Sequence, residues 1–384
     1  MKHARHLLMA TDDTYPGGIP PHLDGEAARR IAEDAAATAR QGMGRDGLEK
    51  ARIAITIAQR LDRPDLEAQG LGAAALCHAS RGDQLMAIAC AVDAYCLFAS
   101  LDDALGMGHN LMTIASACRE VDAPELAIEA LSACRRVATE LNDPFLESRA
   151  CNTLGLVLGD QGEFNEAEAA FVMAEKMLFD SAHEQFAPRV LANRGNLFKK
   201  HAQAVAAMGD TDAANAYLKE GLLLAETALV MANESVSRYD IADCETIAAE
   251  ICYLLHNYRR ARELLTDAIA QGGMIGHAQL VVEARLLLAR VDLAESRHED
   301  AEAGLRRALD DAKKREFGAL QVRAHEGLAA VVKALGRTTE AASHEVAGVA
   351  AAATRRTANR EAQREVRRMW QRYFAAYPLK TTED

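Results

Sequence analysis

The chain has 384 residues, with only 5% aromatic residues and 8 prolines, and it is rich in alanine, leucine, glutamate and arginine. This composition suits long helices and leaves few β-branched or aromatic runs for strands, which argues against a sheet-based fold. The formal net charge of −12 repels phosphate backbones, so nucleic acid is not an expected partner.

The first 24 residues are predicted to be irregular, because three prolines and two glycines fall between Pro16 and Pro21. Residues 1–10 lack an apolar core long enough for a signal peptide. No stretch of the chain reaches the roughly 18 uncharged apolar residues that a membrane-spanning helix needs. We therefore expect a cytoplasmic protein without a membrane span.

From residue 25 onward the chain aligns with itself. An alanine recurs at a nearly regular interval, and a small residue stands twelve positions before and seven positions after each one. The recurring alanines are Ala51, Ala87, Ala127, Ala167, Ala214, Ala261, Ala301 and Ala341. Small side chains in step let antiparallel helices approach closely, so the pattern predicts about eight helix pairs over residues 25–355.

Four residues after each recurring alanine, one helical turn further on the same face, six of the eight units carry a large apolar side chain. These side chains are predicted to fill the core. Glu345 breaks the pattern in the eighth unit, which indicates a degenerate repeat or a cap whose outer face meets water.

Turn residues separate the predicted helices. Helix stop and start signals occur at residues 81–83, 121–124, 161–163, 209–210 and 335–337 within pairs, and at 62–64 and 142–144 between pairs. The intervals on either side of Ala214 are longer than the others by about two helical turns. We therefore predict elongated helices around residues 183–254.

The segment 152–174 resembles a tetratricopeptide repeat (TPR). The resemblance rests on Leu154, Gly155, Gly162, Ala167, Phe171 and Ala174. It implies an all-α, right-handed α-solenoid of about eight TPR-like helix pairs with a C-terminal capping helix. The interval between units exceeds the roughly 34 residues that are commonest in this family, and in this it resembles the long-period repeat regions of bacterial signalling sensors and adaptors.

The resemblance also implies a function without catalysis. We expect a protein- or peptide-binding scaffold or signalling adaptor that holds its partner on the concave face. The alternative is a regulator resembling the Rap-type quorum-sensing proteins, which responds to a peptide and acts on a response regulator or transcription factor. A structural role through homo-oligomerisation and an enzyme with an unrecognised site are further alternatives.

In TPR solenoids the first helix of each pair lines the concave face, so partner-binding positions can be counted from the small residue that precedes each recurring alanine. The predicted partner-binding residues are Arg119, Arg149, Asn152, Asn196, Lys199, Lys200, Arg290 and Arg323. Most basic members lie between residues 119 and 200, which favours an acidic partner held by charge-assisted hydrogen bonds. A solvated surface without a ligand is the alternative.

Residues 356–384 are predicted to form a basic helix and tail. Seven arginines stand between Arg355 and Phe374 against Glu361 and Glu365 only, and Trp370 is the single tryptophan of the chain. One interpretation is a helix that caps the last repeat and solvates its arginines. The others are a docking or membrane-surface helix, or a homodimer formed through this helix.

No pattern points to chemistry. The eight cysteines include no C-x-x-C pair, and most lie in apolar helical stretches, as expected of core thiols in a reducing compartment. The sequence contains no H-E-x-x-H, phosphate-loop or G-x-S-x-G motif. We therefore expect no catalytic residues, no metal site and no cofactor.

Overall fold

The structure, a computed structural model, describes residues 23–235 and 237–374, apart from the side chains of residues 372–374. Most of the irregular segment predicted for residues 1–24, and the tail after Phe374, lie outside the described residues. Within the described part there are sixteen α-helices and no strand. The helices are α1 (Gly25–Arg40), α2 (Gly44–Arg60), α3 (Pro64–Ser80), α4 (Gln84–Ser100), α5 (Ala104–Glu120), α6 (Pro124–Leu141), α7 (Pro144–Gln161), α8 (Phe164–Asp180), α9 (Ala187–Ala207), α10 (Thr211–Ser235), α11 (Arg238–Leu254), α12 (Tyr258–Met274), α13 (Ala278–Ala294), α14 (His298–Lys314), α15 (Gly318–Ala334) and α16 (Thr338–Phe374).

Consecutive helices pack as pairs, and the chain forms two compact units. Unit 1 comprises the chain up to Val157 together with the chain from Ala358 onward, and unit 2 comprises Leu158–Thr357. The first helices of successive pairs also pack on one another: α1, α3 and α5 in unit 1, and α9, α11, α13 and α15 in unit 2. These contacts confirm an all-α solenoid of TPR-like repeats.

The regular repeat interval has a simple origin, because the helices and the turns between them have nearly constant lengths. Most helices have 17 residues, and most turns have three. Most helices end where one residue adopts a positive φ angle, as at Gly82 (79°) and Gly162 (81°). The next amides then donate to the last carbonyls, as when the amide of Asp83 donates to the carbonyl of His78. Asp62 and Asn142 occupy equivalent positions, since aspartate and asparagine tolerate this conformation better than most side chains.

The three columns of small residues are buried in every pair, from Ala39, Ala51 and Ala58 in the first to Ala329, Ala341 and Gly348 in the last. The apolar side chains four residues after each recurring alanine are buried too, whereas Glu345 is exposed. The prediction that the eighth unit departs from the pattern is therefore confirmed.

The two long intervals arise around one pair. Helix α9 has 21 residues and follows a short 3₁₀ turn at Glu184–Phe186, and α10 has 25 residues. Helix α11 keeps the ordinary 17 residues. Elongation is thus confirmed for α9 and α10 but was wrong for α11, because the longer turn before α9, α9 itself and α10 together account for all the added length.

The arginine-rich stretch after Arg355 is not a separate helix. It continues α16, a single helix of 37 residues. Its apolar side chains do not cover the last repeat as one interpretation had it: Ala362, Val366, Met369 and Trp370 belong to the core of unit 1. The side-chain amide of Gln363 donates to the carbonyls of Val121 and Asp122, at 2.6 and 2.7 Å, in the turn between α5 and α6.

The crossing of α9 and α10 has no room for a side chain at its centre. A Cβ atom on Gly221 would lie 2.9 Å from the carbonyl oxygen of Gly195 and 3.1 Å from Cβ of Phe198. We expect Gly221→Ala to destabilise unit 2 by about 1–3 kcal/mol, since neither backbone can move aside. The midpoint of urea unfolding, followed by circular dichroism, measures the change.

Gly304→Ala is the matched control, because its Cβ would meet only Cβ of Ala289 at an ordinary 3.8 Å. This substitution in a helix interior should stabilise the protein by about 0.5–1 kcal/mol. Equal effects of the two substitutions would contradict the close approach.

One carboxyl group in unit 2 is buried without a hydrogen-bond partner for one oxygen. The side chain of Glu245 in α11 is 7% exposed, and its Oε2 accepts no hydrogen bond. Burial, reinforced by the negative charge of Asp267, raises the pKa of Glu245 to about 7, although Arg260 opposes the shift. The group is therefore neutral in the folded protein at mildly acidic pH.

Because the folded pKa lies above the unfolded one, stability is full below the ordinary glutamate pKa and falls as pH rises through the folded value. We expect Glu245→Gln to be more stable than the wild type above about pH 7, by about 1–3 kcal/mol, and equal to it near pH 4. Urea midpoints at both pH values measure this difference. Glu220→Gln, at an exposed position of α10, is the control and should change the urea midpoint little. A pH-independent effect of Glu245→Gln would refute the assignment.

Candidate functional site

Each unit carries a groove lined mainly by first helices, at positions six and three residues before, and one and four residues after, the small residue of that helix. The unit 1 groove has a volume of about 300 Å³ and lies along α1, α3, α5 and α7. The unit 2 groove has a volume of about 420 Å³ and lies along α11, α13 and α15. One repeated helical face therefore produces both candidate sites.

The unit 1 groove has a floor of small residues and a polar rim. Phe98 lines the floor together with the small residues Ala32, Ala36, Ala68, Gly72, Ala73 and Gly106, and the rim carries Glu33, Arg40, Gln69, His109 and Arg149. Burial lowers the pKa of His109, and the nearby cations Arg149 and Arg40 lower it further against Asp143 and Asp103. At neutral pH this imidazole is thus uncharged and can both donate and accept a hydrogen bond.

Three leucines are among the residues that line the unit 2 groove, although Leu286 and Leu305 are almost fully buried and only Leu293 is partly exposed. Tyr253, Arg290, Arg323 and Glu326 line it too. The guanidinium carbon of Arg290 lies 4.7 Å from the ring centroid of Tyr253. This cation–π contact attracts the guanidinium group to the face of the ring.

An ion-pair chain runs beside the unit 2 groove. Nζ of Lys199 lies 2.5 Å from Oε2 of Glu250, and Nη1 of Arg290 lies 3.6 Å from Oε1 of the same carboxylate. Burial would raise the pKa of Glu250, but the charge and hydrogen bond of Lys199, with Arg290 and Arg323 nearby, outweigh burial and lower it. The local electrostatic field is therefore positive.

The structure places three of the eight predicted partner-binding residues in a groove: Arg149 in unit 1, and Arg290 and Arg323 in unit 2. Lys199 and Lys200 are bound by the carboxylates of Glu250 and Asp160. The positive charge expected from these two lysines is thus neutralised within unit 2.

The other three predicted residues lie outside the lining of both grooves. Arg119 contacts Glu120 at 3.4 Å in α5, and Asn152 lies half-buried in α7. Asn196 lies half-buried in α9, and its Oδ1 is buried without a hydrogen-bond partner. A role of these three residues in binding stays a prediction.

A second polar cluster lies at the beginning of α11. Two nitrogens of Arg189 contact Oδ1 of Asp240, at 2.7 and 3.1 Å, and the guanidinium group lies over the ring of Tyr239. Burial raises the pKa of the neighbouring Asp243 to about 6 against the opposing charge of Arg189, and Glu283 and Asp240 add to the rise. This cluster accounts for the raised pKa of Asp243.

Several groove residues were not among the predicted ones, although one signal could have found them. Counting from Ala39 and Ala75 in the first two pairs, the first three of these offsets (six and three residues before, and one residue after) give Glu33, Ala36 and Arg40, and Gln69, Gly72 and Leu76. All six line the unit 1 groove. The prediction favoured the middle of the chain because basic residues are frequent there. Whether a residue lines a groove depends on its position in the helix and not on its charge.

The cysteine side chains are buried in the packing between helices. All eight cysteines are buried and free, and burial raises the pKa of Cys77, Cys96, Cys118 and Cys134 to about 12. Across residues 23–235 and 237–374, no group of three or more His, Cys, Asp or Glu side chains is arranged to hold a metal ion. None of the helices in that same part is both long and apolar enough to cross a bilayer.

The sequence matches no family model and no curated protein. The fold, in contrast, is similar to several solved structures. Aspartyl phosphate phosphatase F from Bacillus subtilis has a TM-score of 0.57 at 11% identity, covering 86% of this chain and 95% of that one. At so low a sequence identity, the structural similarity gives information about the fold alone.

Two further structures have a TM-score of 0.55. The Rap conjugation gene regulator of the plasmid pLS20, solved with the Phr* peptide, is 12% identical, with 94% of this chain and 100% of that chain covered. The apo form of the quorum sensor NprR from B. thuringiensis is 14% identical, with 86% and 89% covered. The chain thus has the fold of TPR-like helical repeat proteins.

The ion pair beside the unit 2 groove should contribute to stability as well as to charge. Lys199→Met removes the cation but keeps the alkyl chain, and it leaves the largely buried Glu250 with only a long contact to Arg290. We expect the free energy of unfolding to fall by about 1–3 kcal/mol at neutral pH. The wild-type contribution is present above the ordinary glutamate pKa and lost as pH falls through the lowered pKa of Glu250, so the loss should vanish in acid.

Lys200→Met is the adjacent control. Its ion pair with Asp160 is about one-third exposed, so the cost should stay below about 1 kcal/mol. Urea unfolding of both variants across the acidic range provides the measurement. If Lys199→Met and Lys200→Met lost similar amounts of unfolding free energy, burial would not make the Lys199–Glu250 pair more stabilising than the exposed pair.

Proposed function

We propose that this protein is a non-enzymatic repeat scaffold that binds a protein or peptide partner in the grooves of its first helices. The observation that carries the proposal is that two units, each with its own core, present a groove built from the same repeat positions. Volumes of about 300 and 420 Å³ fall in the range of sites for small ligands and side chains. Each groove fits a short peptide segment better than a folded domain.

The lining supports this use. Small and apolar residues at the floor let a backbone approach closely, and a few polar groups at the rim can fix its direction. The polar side chains are spread along several helices and do not converge on one reacting atom, which supports binding over catalysis. With eight buried thiols, we place this function in a reducing compartment such as the cytoplasm.

The alternative is a Rap-like regulator that responds to a peptide and controls a response regulator or transcription factor. The specific observation in its favour is the likeness to the pLS20 regulator, whose structure contains a peptide, over 94% of this chain. One similar structure is named as a phosphatase of aspartyl phosphate. Under this alternative the bound peptide would change the affinity for a second protein.

Filling each groove with a large side chain tests the proposal. Ala36 lines the unit 1 groove, and Ala330 lines the unit 2 groove at an exposed position. We expect Ala36→Trp, Ala330→Trp or both to reduce capture of the partner by about tenfold or more, because the new indole occupies the space the partner needs. Affinity capture from a lysate of the source organism, quantified by mass spectrometry, provides the measurement.

Ala342→Trp is the control, since Ala342 is exposed on α16, a second helix, and lines neither groove. All three variants must retain the circular dichroism of the wild type. Undiminished capture by both groove variants would rule out the first-helix surface. Release of the captured protein on addition of a peptide would favour the regulator over the scaffold.

A further inference from the structure

We infer that His325 and His344 form a pH-sensitive latch between α15 and α16, which is closed while the two imidazoles carry at most one added proton and opens when both are protonated. The rings meet across the last helix pair. Nδ1 of His325 lies 3.1 Å from Nδ1 of His344, and the ring centroids are 5.3 Å apart. The latch goes beyond the proposed function, because it operates without a partner.

The contact between the two rings has room for one hydrogen atom. A neutral imidazole carries one N–H group, so one ring can donate from Nδ1 while the other accepts at Nδ1. One added proton leaves this hydrogen bond intact, because it can go to the outer Nε2 of the donating ring. A second added proton puts hydrogen on both Nδ1 atoms and a positive charge on both rings, which then repel each other.

Burial increases the cost of the double charge. His325 is 8% exposed, and the side chain of His344 is 16% exposed. Burial lowers the pKa of both imidazoles, and the charges of His344 and Lys313 lower the pKa of His325 further. The two rings are therefore neutral at pH 7, and the latch is closed. The partly exposed edge of His344 gives protons access to the pair.

The surrounding charges do not remove this cost. The nearby charged groups are Glu302, Arg306 and Lys313 of α14, Glu340 of α16, and Arg337 in the turn before α16. Oε1 of Glu340 lies 4.0 Å from Nε2 of His344, and Glu340 and Glu302 both raise the pKa of His344 against burial. Both carboxylates, however, already form ion pairs with Arg306 and Arg337. Neither carboxylate is free to neutralise a second imidazolium.

The rings have little space in which to separate while the helices stay together. The pair lies where α15 and α16 approach closely, since a Cβ atom on Gly348 would lie 3.4 Å from Cβ of His325. His344 stands four residues before Gly348, one turn away on the same face of α16. Repulsion between the rings therefore favours an open arrangement in which this part of α16 leaves α15.

The latch lies directly behind residues that line the unit 2 groove. Arg323, Glu326 and Gly327 line that groove, and His325 stands among them on the buried side of α15. Opening would displace these side chains, so a ligand in this groove is expected to lose affinity in acid. This consequence rests on the proposed function, whereas the latch does not. Tests of the latch need no ligand, so the two can fail separately.

Hydrogen exchange of the full chain, measured by mass spectrometry, tests whether the helices separate. The two conditions are about one pH unit above and below the ordinary histidine pKa of about 6.5, with correction for the intrinsic exchange rate. We expect the amides of α15, and those of α16 before Ala358, to lose protection about tenfold or more at the lower pH. Each proton that only the open form binds contributes about tenfold there. The sign follows from the lowered pKa values, since protection is full above the ordinary pKa and is lost below it.

The double variant His325→Asn/His344→Asn removes the titration and keeps an amide near the position of each Nδ1. Its protection should be the same at both pH values. His256→Asn is the matched control, because His256 is exposed in the turn after α11 with a φ angle of 60°, which asparagine tolerates. This variant should keep the pH response of the wild type.

NMR titration of isotope-labelled histidine rings measures the coupling between the two groups. In the wild type the pair should take up its second proton at a lower pH than the single ring that remains in His325→Asn or in His344→Asn. This comparison still decides if the double variant does not fold. Equal uptake in the wild type and the single variants would overturn the inference. So would unchanged protection of α15 and α16 in acid, or a wild-type pH response in the double variant.

Discussion

The close approach of helix backbones is the constraint on which the rest of this structure depends. Where paired helices cross, the recurring positions carry alanine, glycine or cysteine, and at Gly195 and Gly221 each Cα faces the other backbone's carbonyl oxygen. Larger residues would push the helices apart and open the core. Because the small residues recur at a fixed place in each pair, successive pairs within each unit pack in a similar way.

The same repetition creates the grooves. When first helices pack on one another at equivalent points, the side chains at fixed offsets from those points fall on a common surface, whatever their chemistry. The offsets were therefore readable from the sequence, and so were the helix pairs, the buried columns and the exposed end of the pattern at Glu345. Three of the eight predicted partner-binding residues lie in a groove and obey the offsets. Arg119, Asn152, Asn196 and Lys199 obey them too but lie outside both groove linings, so the offsets give the face of the helix and not the position of a groove along it.

What the sequence could not supply is the pairing between distant positions. Lys199 and Glu250 are 51 residues apart, and nothing in either segment indicates that the lysine charge is neutralised. The same holds for Lys200 and Asp160, which are 40 residues apart. The prediction of a basic middle of the chain counted the lysine charges without the carboxylates that neutralise them in the folded protein. Trp370 likewise gave no indication that it would join the core of unit 1, because an amphipathic helix reveals its apolar face but not the surface that receives it.

The placement of the end of α16 in unit 1 has a consequence for biosynthesis. Gln363 bonds to Val121 across 242 residues of sequence, whereas most packing in this fold is between neighbours in the chain. During translation the amino-terminal repeats emerge long before the four side chains that finish their core. Unit 1 therefore keeps an uncovered apolar surface until the end of α16 has left the ribosome. Closing so long a loop is slow compared with pairing adjacent helices, so this late docking step should govern how fast the native protein appears.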